Sequence, residues 1–386
     1  MPSRKILLLM GFLTYVFYAL LATEMGPALP EISSELRLSQ GVAGVIASLQ
    51  SLAGILAVLG GFLSDIFGRT RLIAISLGVI GLGAFFLSSS LTASMVGLSF
   101  FVMGTGFAFF EAAVNAFISN IFSDKRGMSI NMLHIGWSVG STLGPMLAAT
   151  AILAYHSWRL GYLSIVPVML TFSIFFGVLI PEAPNIKMDK EKVEAEPELS
   201  KMHLLISMLP IFLQSFLLMS CKLGMNTWLP YILQDQGVSL IESSLTISLF
   251  WMLVGVGRLV WAPFVDRLGC IKTVTFTSLG SLALLIPATL PIPIYYRMIL
   301  YSSTGFLMGP IYPTLIASAT ARYPKISGTL VGAIYAFGTL GTVFSTIIIG
   351  LTIEFMGSSM AQVIFPITIS LIAFILYLSP RYSRKQ

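Results

Sequence analysis

The sequence predicts an all-α membrane protein, with twelve transmembrane helices in two pseudo-symmetric six-helix bundles. Three observations predict it. The 386 residues are 56% hydrophobic and 10% charged, with a mean hydropathy of +0.90. An ordinary soluble chain carries about 25% charged residues, and no soluble core of this size absorbs so much apolar surface, so lipid is the expected solvent. The apolar residues fall in runs long enough to span a bilayer. Finally, a polar patch, Gly61-Phe-Leu-Ser-Asp65-Ile-Phe-Gly68-Arg69-Thr-Arg71, returns as Asp266-Arg267-Leu-Gly269-Cys270-Ile-Lys272. Asp65 and Asp266, Gly68 and Gly269, and Arg71 and Lys272 share one offset (266−65, 269−68 and 272−71 are each 201). One offset at three positions is the mark of a duplicated unit.

A span needs roughly 20 apolar residues. On that template the spans run approximately over 6–30, 41–63, 71–91, 93–121, 128–154, 159–180, 203–234, 241–264, 271–290, 294–321, 327–353 and 358–379. Arg4-Lys5 before the first run resembles a signal peptide, but the run is long and lacks a small-x-small cleavage site, so a retained first helix is expected. Residues 181–202 hold Pro-Glu-Ala-Pro and a dense mixture of Lys, Asp and Glu that cannot enter lipid. The expected organisation is therefore an N-terminal bundle (1–180), a cytoplasmic charged linker (181–202) and a C-terminal bundle (203–386).

Of the 22 Lys and Arg, only Arg37, Arg159 and Arg297 lie on one side, Lys222 and Arg258 lie within spans, and all the others lie on the second side. Basic loops stay cytoplasmic, which places both termini, the linker, the Ser123–Gly127 loop and both copies of the repeated patch in the cytoplasm of a multi-pass protein of the cell membrane. Cys221 and Cys270 form no disulfide framework or metal spacing. The basic residues form no stripe with aromatics, so nucleic acid is not an expected partner. No Ser/His/Asp set, metal set or Walker-type loop occurs, so neither an enzyme nor an ATP-driven pump is expected and no cofactor is implied.

An ionisable side chain at mid-span costs roughly 2.5–3.5 kcal/mol and is a functional candidate by default. Four qualify. Glu24 lies toward the outer part of the first span, Glu111 near the middle of the fourth, Lys222 in the outer half of the seventh, and Arg258 in the eighth, near enough to the cytoplasm to snorkel. Glu111 and Asn115 are four residues apart and share a helical face, a carboxyl–amide pair suited to a hydroxyl-rich solute. Glu24 is a candidate proton carrier or, alternatively, the ion-pair partner of Lys222 at an outer gate. Gln50, Gln214, Trp137, Trp228, Trp251, Tyr312 and Tyr335 are polar or stacking candidates. His134 and Asn131, near the start of the fifth span, fit a structural role.

The two halves, the charged linker and the G-x-L-x-D-x-x-G-R-x-R patch after the second span resemble the major facilitator superfamily. The resemblance implies alternating access, with the halves rocking about a midplane site. It also implies that Gly61, Asp65, Gly68, Arg69 and Arg71, with Asp266 and Arg267, form a cytoplasmic gate in which the charges latch one helix end against another. Within that superfamily the chain is most similar to the fucose–galactose–glucose:proton symporter branch. The shared features are the E-x-x-x-N pair, Asn131-x-Leu-His134 with Gly144-Pro145, Gly224 with Trp228 and Tyr231, and Gly309-Pro-Ile-Tyr-Pro313-Thr. That likeness implies a monosaccharide symporter, monomeric, with Glu24 coupling protons and Glu111 binding the sugar. Lys222 departs from it, since an acid is common there. The rival reading is a drug:proton antiporter, although Pro145 is followed by Met-Leu-Ala-Ala and not by a glycine pair. A non-transporting receptor on the same fold is a third.

Overall fold

The computed structural model describes residues 3–122, 126–180, 201–323 and 327–378. Residues 181–200 of the charged linker, residues 123–125 and the side chains of Asp65, Asn131 and Asp266 lie outside that description.

The described chain is almost wholly helical, and eleven segments are long and apolar enough to cross a membrane. The expected tenth span is not among the eleven because it is cut into Ile294–Met308 and Ile311–Arg322. The cut falls at Gly309-Pro310. Pro310 has no N–H to offer Phe306, and Gly309 lies against the Val254 carbonyl of the eighth span, where a Cβ would not fit. The two pieces cross together once, completing twelve.

The first span is broken as well, into Arg4–Thr23 and Met25–Glu35. Pro27 cannot donate to the Thr23 carbonyl, so the helix turns at Glu24. The second span runs Gln40–Leu52, a 3-10 turn over Ala53–Leu56, then Ala57–Phe67. Because the chain crosses an even number of times, it begins and finishes at one end of the bundle, here called the terminal end; the other is the far end.

The duplication is written into the backbone. Six described residues have positive φ, and they form three pairs: Arg37 (52°) with Gly237 (88°), Gly68 (94°) with Gly269 (81°), and His156 (51°) with Gly357 (84°). The offsets are 200, 201 and 201 (237−37, 269−68, 357−156). Gly68 and Gly269 each link two helices with ψ near extended values, 152° and 160°. That region is open essentially to glycine alone, which explains why the repeated patch holds a glycine there. Gly68→Ala and Gly269→Ala are each expected to cost roughly 1–3 kcal/mol, read as a lowered melting temperature of the purified protein. Equal melting of the variants and the parent chain would refute this.

The halves meet along three seams: first against seventh span, second against eleventh (Ser327–Met356), and fifth (Arg126–Tyr155) against eighth (Leu240–Leu268). At the far end the second–eleventh seam is shut. A Cβ on Gly44 would lie 2.6 Å from the Thr346 carbonyl oxygen, and Glu354 Oε2 accepts from the Gly41 N–H at 2.8 Å. Glu354 thus caps the N-terminus of a helix in the other half, a favourable charge–dipole arrangement. At the terminal end the same seam is open, with nothing within 4 Å of where a Cβ on Gly61 or Gly332 would stand.

Far-end charges tie each half together internally. Arg159 forms a two-pronged pair with Glu35 (2.6 and 2.7 Å) and donates to the Ser90 carbonyl, while Arg297 donates to the Ala288 carbonyl and to Gln362. In both halves an arginine therefore meets a carbonyl at or just past the end of the third span, after Arg69–Ser88 and at the end of Cys270–Ala288.

Candidate functional site

Polar groups of the spanning core collect where the halves face each other. On the fourth span (Ala93–Ile121), Asn115 Nδ2 donates to the Glu111 carbonyl at 2.8 Å, to Glu111 Oε1 at 3.3 Å and to the Tyr15 hydroxyl at 2.9 Å. The four-residue spacing places the amide over the carboxyl. The hydroxyls of Tyr15 and Tyr18, from the first span, lie beside that carboxyl. Tyr312 and Tyr335, from the second half, lie within its electrostatic reach.

From Tyr18 a line of rings crosses into the second half. Tyr18 meets Trp137 at 4.9 Å between centroids, Trp137 meets Trp251 edge-on at 6.2 Å, and Lys222 Nζ lies 5.2 Å from the Trp251 ring centre. The Trp251 indole N–H donates to Asn226 Oδ1 at 2.8 Å. Seven residues along the eighth span from Trp251, Arg258 Nη1 reaches the His134 carbonyl at 3.5 Å. Arg258 does not snorkel to the surface as expected. It shares a helical face with Trp251 and Gly255, and that face packs on Ser138 of the fifth span, so the guanidinium is directed into the seam.

Arg159 pairs with Glu35, whereas neither Lys222 nor Arg258 has a carboxylate partner among the described residues. The ion pair between Glu24 and Lys222, the alternative reading of those two residues, is absent among the described residues of this structure. The break in the first span turns Glu24 into its own half, wholly buried against Gly161, where a Cβ would stand 2.9 Å from Glu24 Oε2. Neither carboxyl oxygen has a hydrogen-bond partner, nor has the buried hydroxyl of neighbouring Tyr162.

The remaining candidates divide. Gln50 and Gln214 are buried, each with its side-chain oxygen unpartnered, and no hydrogen bond or ring contact joins them to the Glu111–Lys222 line. Trp228 is not in that line either. It donates to the Thr346 carbonyl at 2.9 Å and fills the far-end seam against Gly44 and Gly350. In the repeated patch, Arg69 Nη1 reaches the Ala116 carbonyl of the fourth span at 3.3 Å, Arg71 also has partners, and Arg267 is exposed. The expected latch at Asp65 and Asp266 rests on side chains outside the described residues. Tyr15, Tyr18, Asn226 and Glu354 had not been singled out from the sequence.

The duplicated scaffold explains part of the geometry. Gln50 and Trp251, Glu111 and Tyr312, and His134 and Tyr335 are pairs at the offset of 201 (251−50, 312−111, 335−134). Equivalent positions have diverged, carrying Gln, Glu and His in the first half and Trp, Tyr and Tyr in the second. At the same offset Lys222 and Arg258 correspond to Leu21 and Ala57 (222−21, 258−57), so the cations belong to the second half alone.

Comparison with known proteins bears on the whole chain. The family model described as Major Facilitator Superfamily matches residues 7–346. The cis,cis-muconate transport protein of Acinetobacter baylyi (strain ATCC 33305 / BD413 / ADP1) is 26% identical over 368 residues, covering 90% of this chain and 87% of that one. A probable nitrate transporter of Staphylococcus haemolyticus (strain JCSC1435) is 23% identical over 360 residues, covering 91% and 90%. Among solved structures, a bacterial homologue of the human lysosomal transporter Spinster, inward-facing and occupied, superposes with a TM-score of 0.81 at 13% identity, over 99% of this chain and 98% of that one.

Proposed function

The chain belongs to the Major Facilitator Superfamily, and from that premise we propose that it is a secondary transporter of a small anion, moved by alternating access. The observation that carries the reading is the pair of cations Lys222 and Arg258 at the seam, with no carboxylate partner among the described residues. A charge held out of water costs several kcal/mol unless it is matched. An anionic solute supplies the match only while it is bound, which suits binding and release. The relatives agree in kind, because muconate and nitrate are both anions. Trp251 and Trp137, which meet edge-on, give such a solute apolar ring contacts, and the Glu111–Asn115–Tyr15 group gives it hydrogen-bond partners at the opposite pole.

A monosaccharide, as the symporter likeness implies, is the second reading. The Glu111–Asn115 pair beside Trp137 favours it, but a neutral sugar leaves both cations unmatched. A cationic drug would add positive charge to them. Proteoliposome uptake under an imposed pH gradient separates the readings: cis,cis-muconate or nitrate should accumulate, and glucose, galactose and fucose should not. Sugar accumulation without anion uptake would overturn the anion reading.

Proton coupling is assigned to Glu24. It is buried, apart from both cations and without a hydrogen-bond partner, so carrying its own proton removes an otherwise uncompensated charge. Glu24→Gln should still exchange labelled for unlabelled solute but fail to accumulate it against a gradient. Full proton-driven accumulation by that variant would rule out the assignment. On the Lys and Arg distribution, the terminal end is cytoplasmic, and the open seam faces the cytoplasm.

A further inference from the structure

We propose that Asn226 is a positioning residue that ties the far-end gate to the solute site. It takes part in both. Its side-chain oxygen accepts the Trp251 indole N–H at 2.8 Å, and both residues are buried. This bond fixes the indole on which Lys222 lies, 5.2 Å from the ring centre. Lys222 and Asn226 are one helical turn apart on the seventh span, so that turn presents the cation and holds the ring beneath it. The Asn226 backbone carbonyl is also what the first span presses against at the far end, where a Cβ on Gly26 would run into that oxygen. Gly26 and Asn226 are equivalent positions of the two halves at the offset of 200 (226−26), the offset of the nearby Arg37–Gly237 pair. A tight contact of the first and seventh spans therefore falls on the pseudo-symmetry axis, at the residue that holds the platform.

The consequence is mechanical. With the far end shut, the first span clamps the Asn226 turn, and Trp137 of the first half packs edge-on against Trp251. When the far end opens, the first-half supports leave, and Trp251 keeps only its second-half contacts with Asn226, Phe250 and Lys222. The platform under Lys222 is complete only in the state closed at the far end, so affinity for the solute differs between the two states.

This proposal rests on the anion reading only where affinity is measured, so its test has a ligand-free arm. Trp251 is isolated as the difference in fluorescence and near-ultraviolet dichroism between the parent chain and Trp251→Phe. Asn226→Ala should alter that difference signal, and Asn226→Asp, which keeps the acceptor oxygen, should restore it. Gly26→Val should alter it in the same direction by displacing the first span. In the binding arm, with cis,cis-muconate as the probe, Asn226→Ala should weaken affinity about tenfold, and the loss should shrink below about twofold in a Trp251→Phe background. An unchanged Trp251 signal in Asn226→Ala, or in Gly26→Val if the first variant fails to fold, would overturn the proposal. So would independent, multiplying losses in the binding arm. If the parent chain binds no muconate or nitrate, the anion reading fails, while the spectra still decide the role of Asn226.

Discussion

Lys222→Gln is expected to abolish binding of the anionic solute while leaving the fold as stable as before, or more so. The two effects have opposite signs because Lys222 is 1% exposed and has no carboxylate partner among the described residues. Removing one member of a desolvated ion contact with a ligand costs about 2–5 kcal/mol, a loss of affinity of roughly 30-fold to over 1,000-fold. Removing an unmatched charge from the apolar core relieves a desolvation penalty, so the melting temperature should hold or rise. A lysine that served to close a gate by pairing with Glu24 would behave otherwise: its loss would lower stability and strand a buried carboxylate. The pair is absent here, so a double-mutant cycle of Glu24→Gln and Lys222→Gln on stability should give no coupling energy. Arg258→Gln should cost less affinity, because that guanidinium is only half-buried and holds the His134 carbonyl. The checks are equilibrium binding of muconate and nitrate, and thermal melting of each variant. Parent-like affinity in Lys222→Gln would remove the central support for the anion reading.

The sequence exposed this architecture wherever composition or spacing leaves a mark. Span lengths follow from bilayer thickness, and the glycines at Gly68 and Gly269 stand out because their backbone geometry admits almost nothing else. Arg37 and His156, which occupy equivalent left-handed turns, were silent because they are not glycines. Glu111 with Asn115, and Lys222, were legible because polarity at mid-span is costly. Tyr15 and Tyr18 cost little there and do not stand out, whereas Asn226 stands four residues from Lys222, the spacing that marks Glu111 and Asn115, and that signal could have found it. An aromatic in a helix carries no signal of direction, and only the fold shows Trp228 facing Gly44 and Gly350. Glu354 reads as an ordinary charge at a span end until Gly41 is placed against it. The alternative pairing of Glu24 with Lys222 could not be judged from the sequence, because the break that Pro27 imposes turns Glu24 toward Gly161 in its own half.

Gly61→Leu is expected to abolish transport without harming solute binding, by wedging the terminal end open. The second and eleventh spans are antiparallel neighbours, and Gly54 lies against Thr339, with the nearest side-chain atom 3.0 Å from where a Cβ would stand. Seven residues are close to two helical turns. Stepping seven residues toward the terminal end reaches Gly61 on one helix and Gly332 on the other (61−54 and 339−332). Neither position has a neighbour within 4 Å in this state, so a leucine at Gly61 is accommodated here. In the opposite state the halves rock together at this end, and the two glycines are the positions through which the seam would close. A wedge costing about 1–3 kcal/mol there shifts the equilibrium between states by roughly 5- to 150-fold. Gly26→Val should act in reverse, since its obstruction lies at the far end that is shut now. A cysteine introduced at Thr339 reports the difference. A membrane-impermeant maleimide added from the terminal side should label it in the parent and in Gly61→Leu, and label it poorly in Gly26→Val. Gly61→Leu protein that transports at the parent rate would show that the second and eleventh spans do not close on each other through this pair.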